Sequence, residues 1–237
     1  MKFKNKNKIT FRAQSEYVWE VHQKPYPAFK ELPNWWKEMP PYSTPDNKLK
    51  LNPQSTVTVK KCAPTLDAIT AGYIVPLWAD VMVSQQNGLP VMQWTTQEPV
   101  FDVWHVSQVS THEIPDGFSS TVFKYLHGWT IKTPPGWSCL ITHPIGYSNL
   151  PIRALSGIVD TDNFENDINT PILIKNNFEG IIKKGTPMFQ IIPIKRESWE
   201  SDFVLEKPNQ FYFNMEKLKT TIVSSYSRTL RVPKNYK

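Results

Sequence analysis

Proline sets the first limit on this chain. Twenty-one prolines are scattered through its 237 residues, and each one holds φ near −65° and removes a backbone N–H. Long helices do not survive such spacing. Short strands joined by fixed turns are expected instead. Residues 129–199 have this form: Trp129-Thr-Ile-Lys, the turn Thr133-Pro-Pro-Gly136, then Trp137-Ser-Cys-Leu-Ile-Thr142. They continue with Gly157-Ile-Val-Asp160-Thr-Asp162, the turn Lys183-Lys-Gly185, and Pro187-Met-Phe-Gln190-Ile-Ile. Pro135-Gly136 suits the two central positions of a type II turn, where glycine supplies the positive φ. Gly185 is expected to close a hairpin in the same way.

Hydrophobic residues make up 40% of the chain and aromatics 13%, enough for a sizeable core and too apolar for a disordered chain. The length suits one β domain spanning 1–237. Further strands are read at Ile9–Ala13 and Tyr17–Val21, Val57–Lys60, Tyr73–Trp78, Val81–Ser84, Val91–Trp94 and Val100–Val106. Asn87-Gly88 marks a hairpin turn. The Pro/Trp-rich stretch 24–55 reads as an irregular wrapping segment. It has a short helix near Pro33 or Asn34, and Trp35 and Trp36 pin it down. Cys62–Gly72 suggests a helical turn ended by Gly72. The best helix candidate is 214–227, with Asn214 as N-cap.

The net charge of +6 and pI near 9.1 favour an acidic partner, although no run of five basic residues marks a nucleic-acid site. Cys62 and Cys139 form no CxxC pair, so two free, buried thiols are expected rather than a zinc site. No metal and no cofactor are assigned. His105, His112, His127 and His143, with Asp102 and Glu113, lack metal-ligand spacing. No apolar run nears the roughly 20 residues that span a bilayer, and no signal peptide is read, so no membrane partner is expected.

Read as a set, Thr133-Pro-Pro-Gly136, Gly157-Ile-Val-Asp160-Thr-Asp162 and Lys184-Gly185-Thr-Pro-Met-Phe-Gln190 resemble the core motifs of the dUTPase and dCTP-deaminase superfamily, in the same order. The resemblance implies a dUTPase-like (β-clip) distorted barrel or sandwich, a homo-oligomer, and a nucleotide or other anionic ligand. The catalytic parts do not follow. Thr142-His-Pro-Ile-Gly146 stands where the family places Pro-Arg-Ser-Gly, no Arg occupies that place, and Phe164 replaces the ligand-stacking Tyr. Thr133-Pro-Pro-Gly-Trp-Ser-Cys-Leu140, together with the acidic and Lys-Gly-Thr-Pro motifs, also resembles a family of tailed-phage (including cyanophage) and bacterial proteins without an assigned activity. That resemblance implies a phage protein, found in the cytoplasm of an infected host cell or in the virion.

Two functions are expected from these residues. The first is a non-catalytic binding or assembly module on a dUTPase-like scaffold. The second is a divergent enzyme acting on a nucleotide or small polar substrate. In the enzyme, Asp160 or Asp162 would supply acid/base chemistry, while Arg153, Lys183 or Lys184 would hold an anion. Trp137 and Phe164 are candidates for stacking a ligand, and Trp104 and Trp129 could do the same. Against each stands a structural alternative: Asx hydrogen bonds in a turn for the aspartates, and core packing for Cys139 and the tryptophans.

Overall fold

In the computed structural model, residues 7–43, 58–109, 114–205, 209, 212 and 230–237 are described. The candidate helix at 214–227, His112, Glu113 and the 44–55 half of the wrapping segment lie outside them. The chain is mainly β. In order it runs β1 (Thr10–Ala13), α1 (Glu16–Val21), β2 (Tyr26–Pro27), α2 (Asn34–Glu38), α3 (Ala63–Ile69), β3 (Tyr73–Pro76), β4 (Val81–Gln86) and β5 (Leu89–Gln93). There follow β6 (Phe101–Val103), α4 (Val106–Val109), β7 (Phe118–Tyr125), β8 (Trp129–Lys132), β9 (Trp137–Thr142), β10 (Ile152–Ala154), β11 (Gly157–Val159), β12 (Thr170–Lys175), β13 (Gly180–Ile182) and β14 (Pro187–Lys195).

The described strands form four sheets, ordered β11-β9-β14-β3-β2, β10-β12-β7-β6, β13-β4-β5 and β1-β8. Every described pairing is antiparallel, and none of the sheets closes into a barrel. The core lies between the first two sheets. Phe189 and Ile191 of β14 and Cys139 and Ile141 of β9 meet Phe123 and Tyr125 of β7 and Ile172 and Ile174 of β12. Tyr125 meets Phe189 edge-on at 6.3 Å between ring centroids. Burial of each such side chain contributes about 1.5–3 kcal/mol.

Strand alternation sends Gln190 to the opposite face of β14 from Phe189 and Ile191, and Gln190 is fully buried there. Its amide donates to the carbonyls of Ala68 (3.1 Å) and Ala71 (2.6 Å), and its Oε1 accepts from the Ile145 N–H at 2.8 Å. The end of α3 and the turn before Tyr147 are thereby stitched onto the sheet, with every polar atom of the amide engaged on that side. The wrapping segment adds to the same layer. Trp36 is buried, Trp35 Nε1 donates to the Gly146 carbonyl at 2.6 Å, and β2 pairs with β3, so part of this segment is a strand.

Several local expectations change in the fold. Tyr17–Val21 is not a strand but helix α1: Ser15 Oγ accepts the Val18 N–H at 3.2 Å and Glu16 sits in the first turn, a capping signal that outweighs the alternation of Tyr17, Trp19 and Val21. Val59–Lys61 is a 3-10 turn rather than a strand. Among the described residues seven strands run from Trp129 onward, and β7 appears where no strand was expected. Helix α3 ends at Ile69, and its C-cap is Thr70 rather than Gly72. Asn87-Gly88 is the expected hairpin turn, with positive φ at both residues. The Pro-Pro-Gly and Lys-Lys-Gly turns have the expected type II form, with N–H to carbonyl bonds Trp137–Pro134 and Thr186–Lys183. Neither closes a hairpin. β8 pairs with β1 and β9 with β11 and β14, while β13 pairs with β4 and β14 with β3 and β9. Both turns carry the chain from one sheet to another.

Candidate functional site

The acidic turn sits where the end of β14 meets the Pro-Pro-Gly corner. Six-residue pairing of β9 with β14 ends at Lys195 opposite Trp137, which brings Arg196 beside Gly136, and the Arg196 N–H donates to the Gly136 carbonyl at 2.9 Å. The guanidinium then grips Asp162 with both Nη atoms, one at 2.8 Å from Oδ1 and the other on Oδ2, the bidentate fork that suits a carboxylate. Asp162 Oδ2 also accepts the Gly136 N–H at 2.8 Å. Its side chain is 6% exposed, and the Arg196 hydrogen bonds hold its pKa down to about 2.

Asp160 is 60% exposed, yet it is tied to the same corner. Its Oδ1 accepts from Ser138 Oγ at 2.7 Å and lies 3.3 Å from Arg196 Nη1. Arg196 Nη1 also donates to Ser138 Oγ at 3.1 Å. The Asp160 carbonyl accepts the N–H groups of Asn163 and Phe164, at 2.9 and 2.8 Å. Asp160, Asp162, Trp137 and Phe164 are therefore gathered at one corner, with half-buried Trp137 on β9 and exposed Phe164 on the turn.

The basic candidates do not join them. Lys183 Nζ pairs with Asp80 Oδ2 at 3.0 Å, and Asp80 Oδ1 accepts the Lys184 N–H at 2.7 Å. Those bonds lower the Asp80 pKa, the Lys184 N–H most. This turn precedes Pro187, whereas Arg196 follows Lys195; the length of β14 sets the two ends roughly 25 Å apart. Arg153 is on β10 in the other large sheet, its guanidinium 5.9 Å from the Phe118 ring centroid.

Lys184 instead borders a cleft of about 630 Å³ between the wrapping segment and the body. Trp35, Asn34 and Glu31 form one wall, Tyr147 and Asn149 a second, and Lys184 and Thr186 a third. Tyr147 Oη donates to the Glu31 carbonyl at 3.0 Å, and the Glu31 carboxylate accepts from Tyr26 Oη at 2.6 Å. Lys184 Nζ has no ion-pair partner among the described residues.

No family model and no curated protein matches the chain. Solved structures that resemble it include two phage enzymes. One is a mutant dUTPase from phage phi11 of S. aureus, with a TM-score of 0.37, 14% identity, and coverage of 85% of this chain and 99% of that one. The other is a dUTPase from the same phage, with a TM-score of 0.35, 12% identity and the same coverage.

Several of the remaining candidates have structural partners. Cys139 is buried, its Sγ accepts from Thr161 Oγ1 at 3.3 Å, and burial pushes its pKa up to about 11, the opposite of an activated nucleophile. Cys62 is free as expected but exposed rather than buried. Trp129 is buried and Trp104 half-buried. His105 is exposed beside Ser107, and His143 lies in the turn between β9 and β10 with Nε2 3.0 Å from the Tyr147 carbonyl. Among the described residues, no three His, Cys, Asp or Glu groups cluster as metal ligands do. None of their helices is long and apolar enough to cross a membrane.

Arg196, Ser138 and Asp80 are the site residues that motif reading passed over. Arg196 lies 34 positions beyond Asp162 in the chain, so only the β9–β14 register shows that they meet.

Proposed function

We propose that this chain is a phage-type, non-catalytic binding or assembly module on a dUTPase-like scaffold. One observation carries the reading: Arg196 clamps the acidic turn, taking both oxygens of Asp162 and lying beside Oδ1 of Asp160. Asp162 spends its oxygens on Arg196 and Gly136, and Asp160 is held by Ser138 and Arg196. A general base needs a free lone pair facing a substrate. The length of β14, roughly 25 Å, separates the Arg196 corner from the Lys183-Lys184 turn and also argues against one carboxylate–lysine active centre.

In this reading the ligand is a nucleotide or another small polar anion, and it enters the cleft beside Lys184. The ammonium supplies the charge, Asn34, Asn149 and Thr186 offer hydrogen bonds, and Trp35 gives an aromatic wall. The module would act as a homo-oligomer in the infected cell's cytoplasm or in the virion. The test is a thermal-shift screen of nucleotides on wild type, Lys184→Ala and Asp160→Asn. A ligand stabilises by RT ln(1 + [L]/Kd). The expected shift is lost in Lys184→Ala and kept in Asp160→Asn. A shift lost in Asp160→Asn, or nucleotide turnover that depends on Asp160, would restore the enzyme reading. Light scattering that showed a monomer at every concentration would remove the assembly role.

A further inference from the structure

Helix α1 lies in a stretch that strand pairing holds at both ends. β1 pairs with β8 over Thr10–Ala13, and β2 pairs with β3 at Tyr26 and Pro27. Between these anchors the chain passes over Trp78 and the connection from β7 to β8. Val18 packs on Gly128 so closely that a Cβ added there would stand 2.6 Å from Val18 Cγ2. Tyr17 meets the Trp78 ring edge-on at 6.4 Å. Hydrogen bonds tie the stretch to the body from the Gln14 N–H to the Gly128 carbonyl, 3.1 Å, and from the His22 ring to the His127 carbonyl, 2.9 Å.

His22 sits at the centre of this contact. It is 7% exposed, and its ring stacks on Trp78 with 3.9 Å between centroids and 11° between planes. With Nδ1–H donating to the His127 carbonyl, Nε2 carries the lone pair of a neutral ring. Nε2 is buried and has no hydrogen-bond partner among the described residues. Proton uptake there would place an N–H and a full charge where no acceptor stands. A buried, unpaired charge is far more costly than a buried lone pair.

The titratable groups around the ring do not relieve that cost. Tyr17 presents a ring edge at 5.7 Å. Asp167 accepts the Gly128 N–H and pairs with His127 Nε2 at 2.8 Å. Glu98 lines the adjoining cavity but forms no ion pair with His22. The Trp78 face attracts an imidazolium, yet an Nε2–H lies in the ring plane and is not directed at that face. Burial is the largest influence on His22 and lowers its pKa, with Asp167 and Glu98 opposing it through space. A cavity of about 500 Å³ already separates part of α1 from the body, so a small outward movement brings water to Nε2.

We propose that α1 is a pH-sensitive flap: proton uptake by His22 lifts it from Trp78 in mild acid, while the strands that anchor it stay paired. Because the closed state holds His22 below its ordinary value near 6.5, it binds fewer protons than the open state. Closure is therefore fully supported above about pH 6.5 and weakens as pH falls below it. Asp162, with a pKa of about 2, stays ionised throughout that window, so the Arg196 clamp is undisturbed.

The experiment is amide hydrogen exchange on the whole chain at steps from about pH 7.5 to about pH 5, corrected for the intrinsic effect of pH. The amides of Trp19 and His22, bonded to the Ser15 and Val18 carbonyls, should lose about tenfold in protection across that range. Those of β7 and β12 should keep theirs. The midpoint of α1 opening should coincide with the titration of the His22 ring resonance. His22→Gln, which takes up no proton, should remove the pH dependence. Flat protection of α1, an equal loss in β7 and β12, or a pH dependence that survives in His22→Gln overturns the proposal. If His22→Gln fails to fold, the two wild-type midpoints decide it, and a separation of more than about one pH unit overturns the proposal.

Discussion

Substituting Ala for Gly72 and for Gly136 should have very different costs, although both glycines have positive φ, +62° and +81°. A left-handed backbone costs an L-residue about 1–2 kcal/mol wherever it occurs. At Gly136 nothing lies within 4 Å of the added Cβ, so that conformational cost is the whole effect. At Gly72 the new Cβ would stand 1.8 Å from the Ile191 carbonyl oxygen. This is backbone against backbone, beside the Tyr73–Ile191 pair that joins β3 to β14. The strands must separate, which adds about 1–3 kcal/mol or more. The totals are about 1–2 kcal/mol for Gly136→Ala and about 2–5 kcal/mol for Gly72→Ala. At about 2–4 °C per kcal/mol for a chain of this size, melting should fall by about 2–8 °C and about 4–20 °C respectively. Thermal denaturation followed by circular dichroism reads both. Equal falls would refute the argument, because they would mean that β14 does not pass over Gly72 as described.

Asp162 should make the chain acid-labile. Its folded pKa of about 2 lies below the value near 3.9 of an unfolded aspartate. Its stabilisation is therefore complete above about pH 4 and is lost as pH falls toward 2. The melting difference between wild type and Asp162→Asn should shrink by about half between pH 7 and pH 3; an unchanged difference would show that Arg196 does not hold the ionised carboxylate. Tyr125→Phe tests the buried polar link between the two large sheets. Tyr125 Oη donates to the Pro76 carbonyl at 2.6 Å and accepts the Trp78 N–H at 3.1 Å. Stranding that N–H costs about 1–3 kcal/mol, a melting fall of about 2–12 °C, and a variant as stable as wild type would refute the role.

Much of the architecture is local chemistry and can be read from the sequence. Proline density rules out long helices, Asn87-Gly88 makes a hairpin turn, and Pro135-Gly136 and Lys184-Gly185 make type II turns, because each depends on the φ preferences of adjacent residues. α1 was legible too, in Ser15 and Glu16, but the alternation of Tyr17, Trp19 and Val21 concealed it. β7 was harder to see: Val122 and Phe123 are both buried, so a strand inside the sheet shows no clean alternation.

What the turns connect was decided only in three dimensions. A type II turn has the same local geometry whether its flanking strands pair with each other or enter different sheets, so the Pro-Pro-Gly corner could not announce that β8 leaves for β1. The acidic turn shows the same division. Asp160-Thr-Asp162 can be read as an active site or as a structural turn, because either needs two carboxylates close in sequence. Arg196 settles where those carboxylates are directed, and it reaches them through the β9–β14 register. Sequence determined which turns and strands could form. Long-range pairing determined which side chains meet, since hydrogen bonds and charges act across space and not along the chain.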